Sequence, residues 1–265
     1  MKQEILAHLS PEYPWAQELQ YFETIDSTNT RLKQLAAAGA PNGTVLIADQ
    51  QTGGRGRLGR SFLSPPGLGV YLSMLLRVDC DPTELMHLTC ASACAVCDAI
   101  ENACGVRPGI KWTNDLVYEQ KKLTGILTEL GLDTQGRAQY AIIGVGVNCC
   151  HTRDDFPPEL QTMAASLAMI CGKPIDRSRV AAAIMEALWG MCTTLLSSPT
   201  AWREPYRKDC ITIGKDICVV RGDSVRRGTA LDVDERGALV VRYEDGQLEA
   251  VNSGEVSVRG MYGYL

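Results

Sequence analysis

A segment that interleaves glycines with arginines is the feature that most restricts the fold of this chain. Gly53–Arg60 has the sequence Gly-Gly-Arg-Gly-Arg-Leu-Gly-Arg. Glycine lets the backbone approach a ligand closely and adopt positive φ angles. Arginine presents a permanently charged, planar group that fits carboxylates and phosphates. The segment therefore predicts a loop that closes over an anion, with an ordinary basic surface loop as the alternative for the segment viewed alone.

The same segment contains Gly54-x-Gly56-x-x-Gly59, which satisfies the dinucleotide-binding pattern, and the run at 44–50 before it has the composition of a strand. That pattern requires a helix to begin within the glycines, so that the helix N-terminus meets the pyrophosphate. The chain continues instead with Ser61-Phe-Leu-Ser-Pro-Pro-Gly67, which breaks a helix. A nucleotide-binding oxidoreductase with a doubly wound sheet is therefore disfavoured.

Composition and charge show that the basic loop is a local feature. The chain has 265 residues, of which 45% are apolar and 22% charged, and its formal net charge is −5. These values are typical of a globular protein with one large domain and a small one. A negative chain is not a general polyanion binder, so the basic cluster suits a small anionic ligand.

The cysteines predict a reduced, cytoplasmic protein without a membrane segment. There are 11 of them, no signal segment begins the chain, and no apolar run approaches the length of a membrane span. Cys94-x-x-Cys97 matches a redox or metal motif, but four cysteines recur there at helical spacing, which favours one apolar helix face. The three histidines are isolated in the sequence, so no zinc site is predicted.

Hydrophobic patterning predicts an α+β fold in which strands and helices are segregated. Residues 1–20 are expected to be irregular, residues 21–210 to form a large mixed domain, and residues 211–265 to form a small β-barrel of short strands separated by glycine turns. The predicted helices lie at 26–38, 81–104, 166–170, 178–196 and 202–208. The predicted strands lie at 21–25, 44–50, 69–77, 109–112, 116–118, 123–130, 139–147, 216–220, 229–233, 238–243 and 248–251.

Two further segments place polar groups beside predicted strands. Asp26–Asn29 consists of four short hydrogen-bonding residues between a strand and a helix, which indicates helix capping or a ligand contact. Lys111 ends an apolar strand and is followed by Trp-Thr-Asn-Asp. A lysine near the core requires an anionic partner, and a bound phosphate or carboxylate would be one. The alternative is a lysine whose ammonium group reaches solvent.

Two other segments interrupt strands with glycine. Gly125 lies within Lys121–Glu129, and Gly144 and Gly146 lie within a β-branched run that ends at Asn148. Glycine weakens a strand, so each position suggests the close approach of a ligand or of other protein atoms. A hairpin turn and a β-bulge are the alternatives.

Taken in order, these segments resemble the biotin protein ligases. The shared motifs are 26–29, 51–60, 111–116, 122–129 and 144–148. Each motif alone is weak, but five in the family's order are specific, and the resemblance covers about residues 20 to 260. It implies a class II synthetase-like mixed sheet with helices on one face, and an SH3-like C-terminal barrel.

The resemblance implies a ligase that converts biotin and ATP into biotinyl-5′-AMP and pyrophosphate. The biotinyl group then passes to a lysine of a biotin carboxyl carrier protein or domain. Family members require Mg²⁺ with ATP, and many form homodimers. The chain lacks the DNA-binding domain of the repressor-type members, so no DNA partner is expected. A lipoate or octanoyl ligase and a non-catalytic biotin-binding protein are the alternatives.

The resemblance also assigns site residues. Biotin contacts are expected at Ser27, Thr28, Asn29, Gln51, Arg55, Gly56, Arg57, Lys111 and Gly125. ATP or adenylate contacts are expected at Arg57, Arg60, Trp112, Asn114, Lys122 and Asn148. Two anions must meet in the first step, so preorganised cations are the main contribution a protein can make, and Lys111, Arg55 and Arg57 are the predicted catalytic residues. Asp115 is the candidate general base for the second step. Thr113 stands where the family commonly has proline, and we expect it to loosen that turn.

Overall fold

The computed structural model describes residues 1–252 and 257–260, which form two β-sheets with six α-helices. The larger sheet has seven strands: β1 (Leu19–Ile25), β2 (Val45–Gln51), β3 (Gly69–Cys80), β4 (Gly109–Lys111), β5 (Asp115–Tyr118), β6 (Lys121–Leu132) and β7 (Ala138–Asn148). Their spatial order is β1-β2-β3-β7-β6-β5-β4. The first pair is parallel and all others are antiparallel. The predicted mixed sheet is therefore confirmed.

Two hydrophobic clusters cover opposite faces of this sheet. The helices are α1 (Lys2–His8), α2 (Thr28–Ala37), α3 (Leu88–Cys104), α4 (Leu167–Cys171), α5 (Arg177–Ser197) and α6 (Arg203–Asp209). The larger cluster joins α1, α3, α5 and alternate residues of the central strands. The smaller one joins Leu32 and Ala36 of α2 to Leu46, Leu75 and Ile142. Helices on one face were predicted, and α2 is the exception, because it is the crossover that the parallel pair β1–β2 requires.

The N-terminal segment corrects the prediction that residues 1–20 are irregular. Helix α1 occupies Lys2–His8, and Ile5 is fully buried against the main core. A second cluster of this segment is aromatic, since Tyr13 contacts Trp15 and Trp189 edge to face. Pro11 and Pro14 indicate an irregular segment, but burial of a few apolar side chains against α5 is enough to stabilise one short helix before them.

The start of the longest predicted helix also differs. Asp81 and Glu84 form the capping box that the sequence predicts, but it caps a 3₁₀ turn at Pro82–Leu85. The α-helix begins at Leu88 and ends at Gly105, whose φ of 75° is left-handed. Along α3, Cys90, Cys94 and Cys97 are buried, all 11 cysteines are free, and burial raises the pKa of these thiols. They are core residues, as predicted from their spacing.

The small C-terminal domain is an antiparallel sheet of five strands. They are β8 (Asp216–Arg221), β9 (Ser224–Val233), β10 (Leu239–Tyr243), β11 (Leu248–Val251) and β12 (Ser257–Gly260), in the order β11-β10-β9-β8-β12. Four were predicted; β12 is additional, and residues 253–256 and 261–265 of the predicted domain lie outside the described part. The predicted boundary at residues 210 and 211 stays a prediction. Helix α5 is the one described helix long and apolar enough to cross a membrane, and part of it is buried in the main core.

Candidate active site

A cavity lies between the Gly/Arg loop, the start of α2 and the strands β4 to β7. Most of the predicted site residues line it, together with apolar neighbours: Ser27, Thr28, Asn29, Gln51, Arg55, Gly56, Arg57, Leu58, Arg60, Ser61, Phe62, Leu72, Lys111, Trp112, Asn114, Asp115, Lys122, Gly125, Ile126, Leu127, Gly144, Val145 and Gly146. The cavity volume is about 150 Å³. Small-molecule sites usually have roughly 300–1,000 Å³, so we expect the loop to move outward when a larger ligand enters.

The start of α2 provides a polar wall that is almost completely buried. Ser27 is the N-cap and accepts a hydrogen bond from Thr30 N. Gln51 Oε1 accepts from Thr28 N at 2.9 Å and from Thr28 Oγ1 at 3.0 Å, and Gln51 Nε2 donates to Ser64 Oγ at 3.0 Å. These bonds hold the side chains in one orientation, as a site for neutral polar groups requires. Helix capping and a ligand contact, the two interpretations of Asp26–Asn29, are therefore compatible.

Asn29 belongs to a second group centred on Glu129. Asn29 Nδ2 donates to Glu129 Oε2 at 2.9 Å, and Ser73 Oγ donates to Asn29 Oδ1. Lys33 Nζ and Arg55 Nη2 lie 2.5 and 3.3 Å from Glu129 Oε1. Burial alone would raise the pKa of Glu129, but the hydrogen bonds from Lys33 and Asn29 outweigh it and lower that pKa. Glu129 is therefore ionised at neutral pH and ties the Gly/Arg loop to β6.

The Gly/Arg loop folds as a short hairpin above the cavity. Arg55 and Ser61 form an antiparallel bridge, Gly56 N donates to Arg60 O at 2.7 Å, and Phe62 N donates to Gly54 O at 2.9 Å. Leu58 at the tip has a φ of 54° and is 59% exposed. A 3₁₀ turn at Arg57–Gly59 is the only helical element within the loop, all of which the structure describes, so the helix that a dinucleotide-binding fold requires is missing there.

Three cations approach the cavity from the side opposite α2. Arg57 Nη1 donates to Asn114 Oδ1 at 2.8 Å, and burial lowers the pKa of Arg57. Lys122 Nζ lies 2.8 Å from Asp115 Oδ1. Lys111 ends β4 directly opposite Asp115 in the strand register. Positive charge that is partly removed from water interacts strongly with an anion, so this side of the cavity suits a phosphate or carboxylate.

The strand glycines are explained by protein side chains that pack against them. A Cβ at Gly146 would lie 2.6 Å from the ring of Phe62, and one at Gly125 would lie 3.3 Å from the same ring. A Cβ at Gly144 would lie 2.2 Å from Asn29 Oδ1. The prediction of a close approach is therefore confirmed in position. The approaching groups are protein side chains, Phe62 and Asn29, from segments distant in sequence.

Three residues near the site have other partners. Asn148 is not among the cavity residues; its Nδ2 donates to Ala165 O at 3.1 Å. Trp112 lines the cavity with part of its ring, while its Nε1 donates to Gly237 O at 3.0 Å. Thr113 is 2% exposed, and its carbonyl accepts a hydrogen bond from Tyr206 Oη at 3.3 Å. That threonine loosens this turn stays a prediction.

Comparison with known proteins agrees with this geometry. Residues 21–148 match the model of the biotin/lipoate A/B protein ligase family, and residues 212–259 match that of the biotin protein ligase C terminal domain. The bifunctional ligase/repressor BirA of Bacillus spizizenii is 33% identical, with 91% of this chain and 74% of that protein aligned. The chain belongs to the biotin protein ligase family.

Other relatives extend the match to whole chains and to solved structures. The biotin–[acetyl-CoA-carboxylase] ligase of Mycobacterium tuberculosis is 31% identical, over 87% of this chain and 85% of that one. The biotin protein ligase of Aquifex aeolicus, solved with biotin and ATP, superposes with a TM-score of 0.78 at 29% identity, over 91% and 98% of the two chains. The expected biotin protein ligase fold is thereby confirmed.

For this member of the biotin protein ligase family, sequence reasoning missed three residues of the site. Phe62 packs against Gly125 and Gly146, which we call the glycine floor. Ser73 bonds to the polar wall, and Glu129 bonds to the Gly/Arg loop. Glu129 lies within β6, and a carboxylate inside a largely apolar strand was a usable signal. Ser73 lies in the middle of an apolar strand, where a buried hydroxyl requires a partner. Phe62 carried no local signal.

Proposed function

We propose that the chain is an ATP-dependent ligase that activates biotin as biotinyl-5′-AMP and transfers the biotinyl group to a lysine of a carboxyl carrier domain. Membership of the biotin protein ligase family and the similarity to structures solved with biotin and ATP support this function. The observation that carries it is one cavity that combines a buried polar wall with five cationic side chains, Arg55, Arg57, Arg60, Lys111 and Lys122.

In the proposed first step, the biotin carboxylate attacks the α-phosphate of ATP. The bond from that phosphorus to the bridging oxygen of pyrophosphate breaks, and pyrophosphate leaves with the electron pair. Lys111 is proposed to bridge the carboxylate and the α-phosphate, with Arg55, Arg57 and Arg60 around the leaving group. Oriented cations stabilise negative charge that develops in the transition state. No base is needed, because the carboxylate is already ionised.

In the proposed second step, the neutral amine of the carrier lysine attacks the biotinyl carbonyl and AMP leaves. Asp115 is the candidate proton acceptor, and its ion pair with Lys122 keeps that carboxylate at the cavity. Phe62 and the other apolar residues of the cavity supply a slot for the bicyclic ring and alkyl chain, and the polar wall faces the ureido group. A closed loop would also protect the mixed anhydride from water.

Magnesium is proposed only as part of MgATP. Among the residues that the structure describes, no group of three or more His, Cys, Asp or Glu side chains could hold a metal ion. Magnesium is commonly bound through substrate phosphates with only one or two carboxylates, so the cavity is compatible with it. Bound magnesium would neutralise phosphate charge. Asp115 is the carboxylate that lines the cavity.

Cytoplasmic location, a homodimer, and the lack of a DNA partner stay predictions. The relatives include bifunctional ligase/repressor proteins, so DNA binding requires its own measurement. Lipoate is the second candidate substrate, because one family model covers both biotin and lipoate ligases. The match of residues 212–259 to the C terminal domain of biotin protein ligases favours biotin.

Two experiments test the function. Thermal unfolding is measured with biotin or lipoate, each with and without MgATP, because a ligand of the native state raises the midpoint. Biotin with MgATP should give the largest rise; a larger rise with lipoate would overturn the substrate assignment. Labelling of a carrier domain is then measured for wild type, Lys111→Ala and the exposed control Lys173→Ala.

We expect Lys111→Ala to slow labelling about tenfold to a hundredfold, the loss of one hydrogen bond to a charged group. Lys173→Ala should label at the wild-type rate, since this side chain is exposed and far from the cavity residues in sequence. Labelling that proceeds without ATP, or a fully active Lys111→Ala, would refute the mechanism.

A further inference from the structure

The strand that carries Lys111 is short and lies at the edge of its sheet. Strand β4 has three residues, Gly109–Lys111, and pairs on its inner side with β5. An edge strand of this length makes few ladder hydrogen bonds of its own. Whatever covers its outer side therefore contributes to the position of the proposed catalytic lysine.

The outer side of β4 is covered by the segment Cys210–Thr212, which leads into the C-terminal sheet. Ile110 and Cys210 form a parallel bridge, and Ile211 N donates to Ile110 O at 2.9 Å. A Cβ at Gly109 would lie 2.6 Å from Ile211 Cγ2, so this approach requires a glycine in β4. The segment acts as one more short strand of the larger sheet.

Thr212 makes the bond next to Lys111. Its Oγ1 accepts a hydrogen bond from the backbone N–H of Trp112 at 3.0 Å, and Thr212 is 3% exposed. With the bond from Ile211 to Ile110, the residues on both sides of Lys111 are tied to the same segment. A buried N–H without an acceptor is costly, so this contact restrains the backbone where β4 ends.

The turn between β9 and β10 adds a second tie to the same place. Gly237 O accepts from Trp112 Nε1 at 3.0 Å, and a Cβ at Gly237 would lie 2.9 Å from Cys90 Sγ. Tyr206 Oη donates to Thr113 O at 3.3 Å from α6. Three hydrogen bonds from residues beyond 205 thus converge on Trp112 and Thr113, the two residues after Lys111.

We infer that Thr212 is a positioning residue for Lys111, and that the C-terminal sheet supports adenylate formation through Thr212 and Gly237. The inference rests on the proposed function. A cation stabilises a transition state only when its ammonium group is at the right distance, and a shift of about 1 Å can cost about a hundredfold in rate. The outer tie of β4 acts on the chemical step more than on biotin binding, because Lys111 is one biotin contact among several and the polar wall, which holds most of the others, belongs to α2 and β2.

The test compares Thr212→Val with Thr212→Ser, using the full chain. Valine has the shape of threonine without the acceptor for Trp112 N, whereas serine keeps that acceptor. Pyrophosphate release with biotin and MgATP gives kcat and KM, and thermal unfolding gives stability. We expect kcat to fall at least about tenfold in Thr212→Val, the biotin KM to stay within about twofold, and Thr212→Ser to recover most of the rate.

The matched control is Thr229→Val, which removes a hydrogen bond to Asp216 inside the C-terminal sheet. It should keep the wild-type kcat. Tyr206→Phe is a second variant, which loses the hydroxyl that donates to Thr113 O and also contacts the thiols of Cys90 and Cys210. It should lower kcat by less than Thr212→Val. If Thr212→Val fails to fold, Thr212→Ala, which also lacks the acceptor for Trp112 N, takes its place, and an unchanged kcat in that variant would overturn the inference.

The outcomes separate the inference from the proposed function. Wild-type protein that releases no pyrophosphate with biotin would refute the function itself. An active wild type with unchanged kcat in Thr212→Val would overturn the positioning role. Equal losses in kcat from Thr212→Val and Thr229→Val, or a loss in Thr212→Val that serine does not recover, would show a general stability effect and would also overturn it.

Discussion

The two sides of the cavity differ in how their polar groups are satisfied. On the α2 side, Thr28, Asn29 and Gln51 are bonded to one another or to Ser64, Ser73 and Glu129. On the opposite side, Arg57 donates to Asn114, and Lys122 pairs with Asp115. A neutral, preorganised wall suits recognition, whereas cations suit stabilisation of developing charge. We therefore expect the first side to set biotin binding and the second to set the rate of adenylate formation.

The largest effect should come from Arg57→Met, which removes the charge on the cationic side. We expect kcat for adenylate formation to fall about tenfold to a hundredfold, because a hydrogen bond to a charged group is lost, with little change in the biotin KM. Pyrophosphate release measures both. Arg31→Met, an exposed arginine of α2, is the control and should match wild type. A rise in the biotin KM without a fall in kcat would contradict the expected division of roles between the two sides of the cavity.

A smaller effect of the opposite kind is expected from Thr28→Val. The change keeps the shape but removes the hydroxyl that donates to Gln51 and lies 2.7 Å from the Ser73 hydroxyl. The biotin KM should rise about twofold to tenfold, the value of one or two neutral hydrogen bonds, while kcat stays near wild type. Thr30→Val in the same helix is the control for β-branching, because the Thr30 side chain makes no hydrogen bond to the described residues. A fall in kcat alone would contradict the division.

We expect His151→Leu to have the smallest effect on activity at neutral pH. Its effect should instead be on the pH dependence of stability. Both ring nitrogens are buried with no hydrogen-bond partner of good geometry among the described residues, and the ring stacks on Phe156. Burial lowers the pKa of His151 to about 4, although the charge of Asp155 acts in the opposite direction. The unfolded chain therefore binds the proton first as the pH falls.

Because the unfolded chain binds the proton first, His151 makes the protein less stable as the pH falls. The contribution of His151 to the free energy of unfolding is present above pH 6.5 and is lost as the pH falls toward about 4, by at most about 3 kcal/mol. Denaturant unfolding between pH 7 and 4 should show this loss, and His151→Leu should make the curve flatter. His87, whose pKa burial also lowers, contributes in the same direction. If the free energy of unfolding of His151→Leu fell with pH as steeply as that of wild type, other groups would be the cause of the lost stability.

Much of the fold could be predicted because its signals are local. The strand glycines, the cap at Ser27 and the left-handed Gly105 are sequence features whose effect is limited to a few residues. The N-terminal helix and the start of α3 were predicted wrongly, since burial of Ile5 and the packing of Leu88 depend on α5 and the core. Asn148 was assigned to the adenylate by its motif, but the segment near Ala165 provides its partner.

The amino-acid sequence by itself determined the family, the Gly/Arg loop and the residue types that a biotin adenylate requires, because these depend on composition and order. Only the tertiary structure decided which polar groups bond to one another and which side chains pack together. Glu129 joins the loop to α2, Phe62 covers the glycine floor, and Thr212 ties the C-terminal sheet to the strand of Lys111. Each of these contacts joins residues far apart in the chain, and long-range hydrogen bonds and packing leave no periodic pattern in a single sequence.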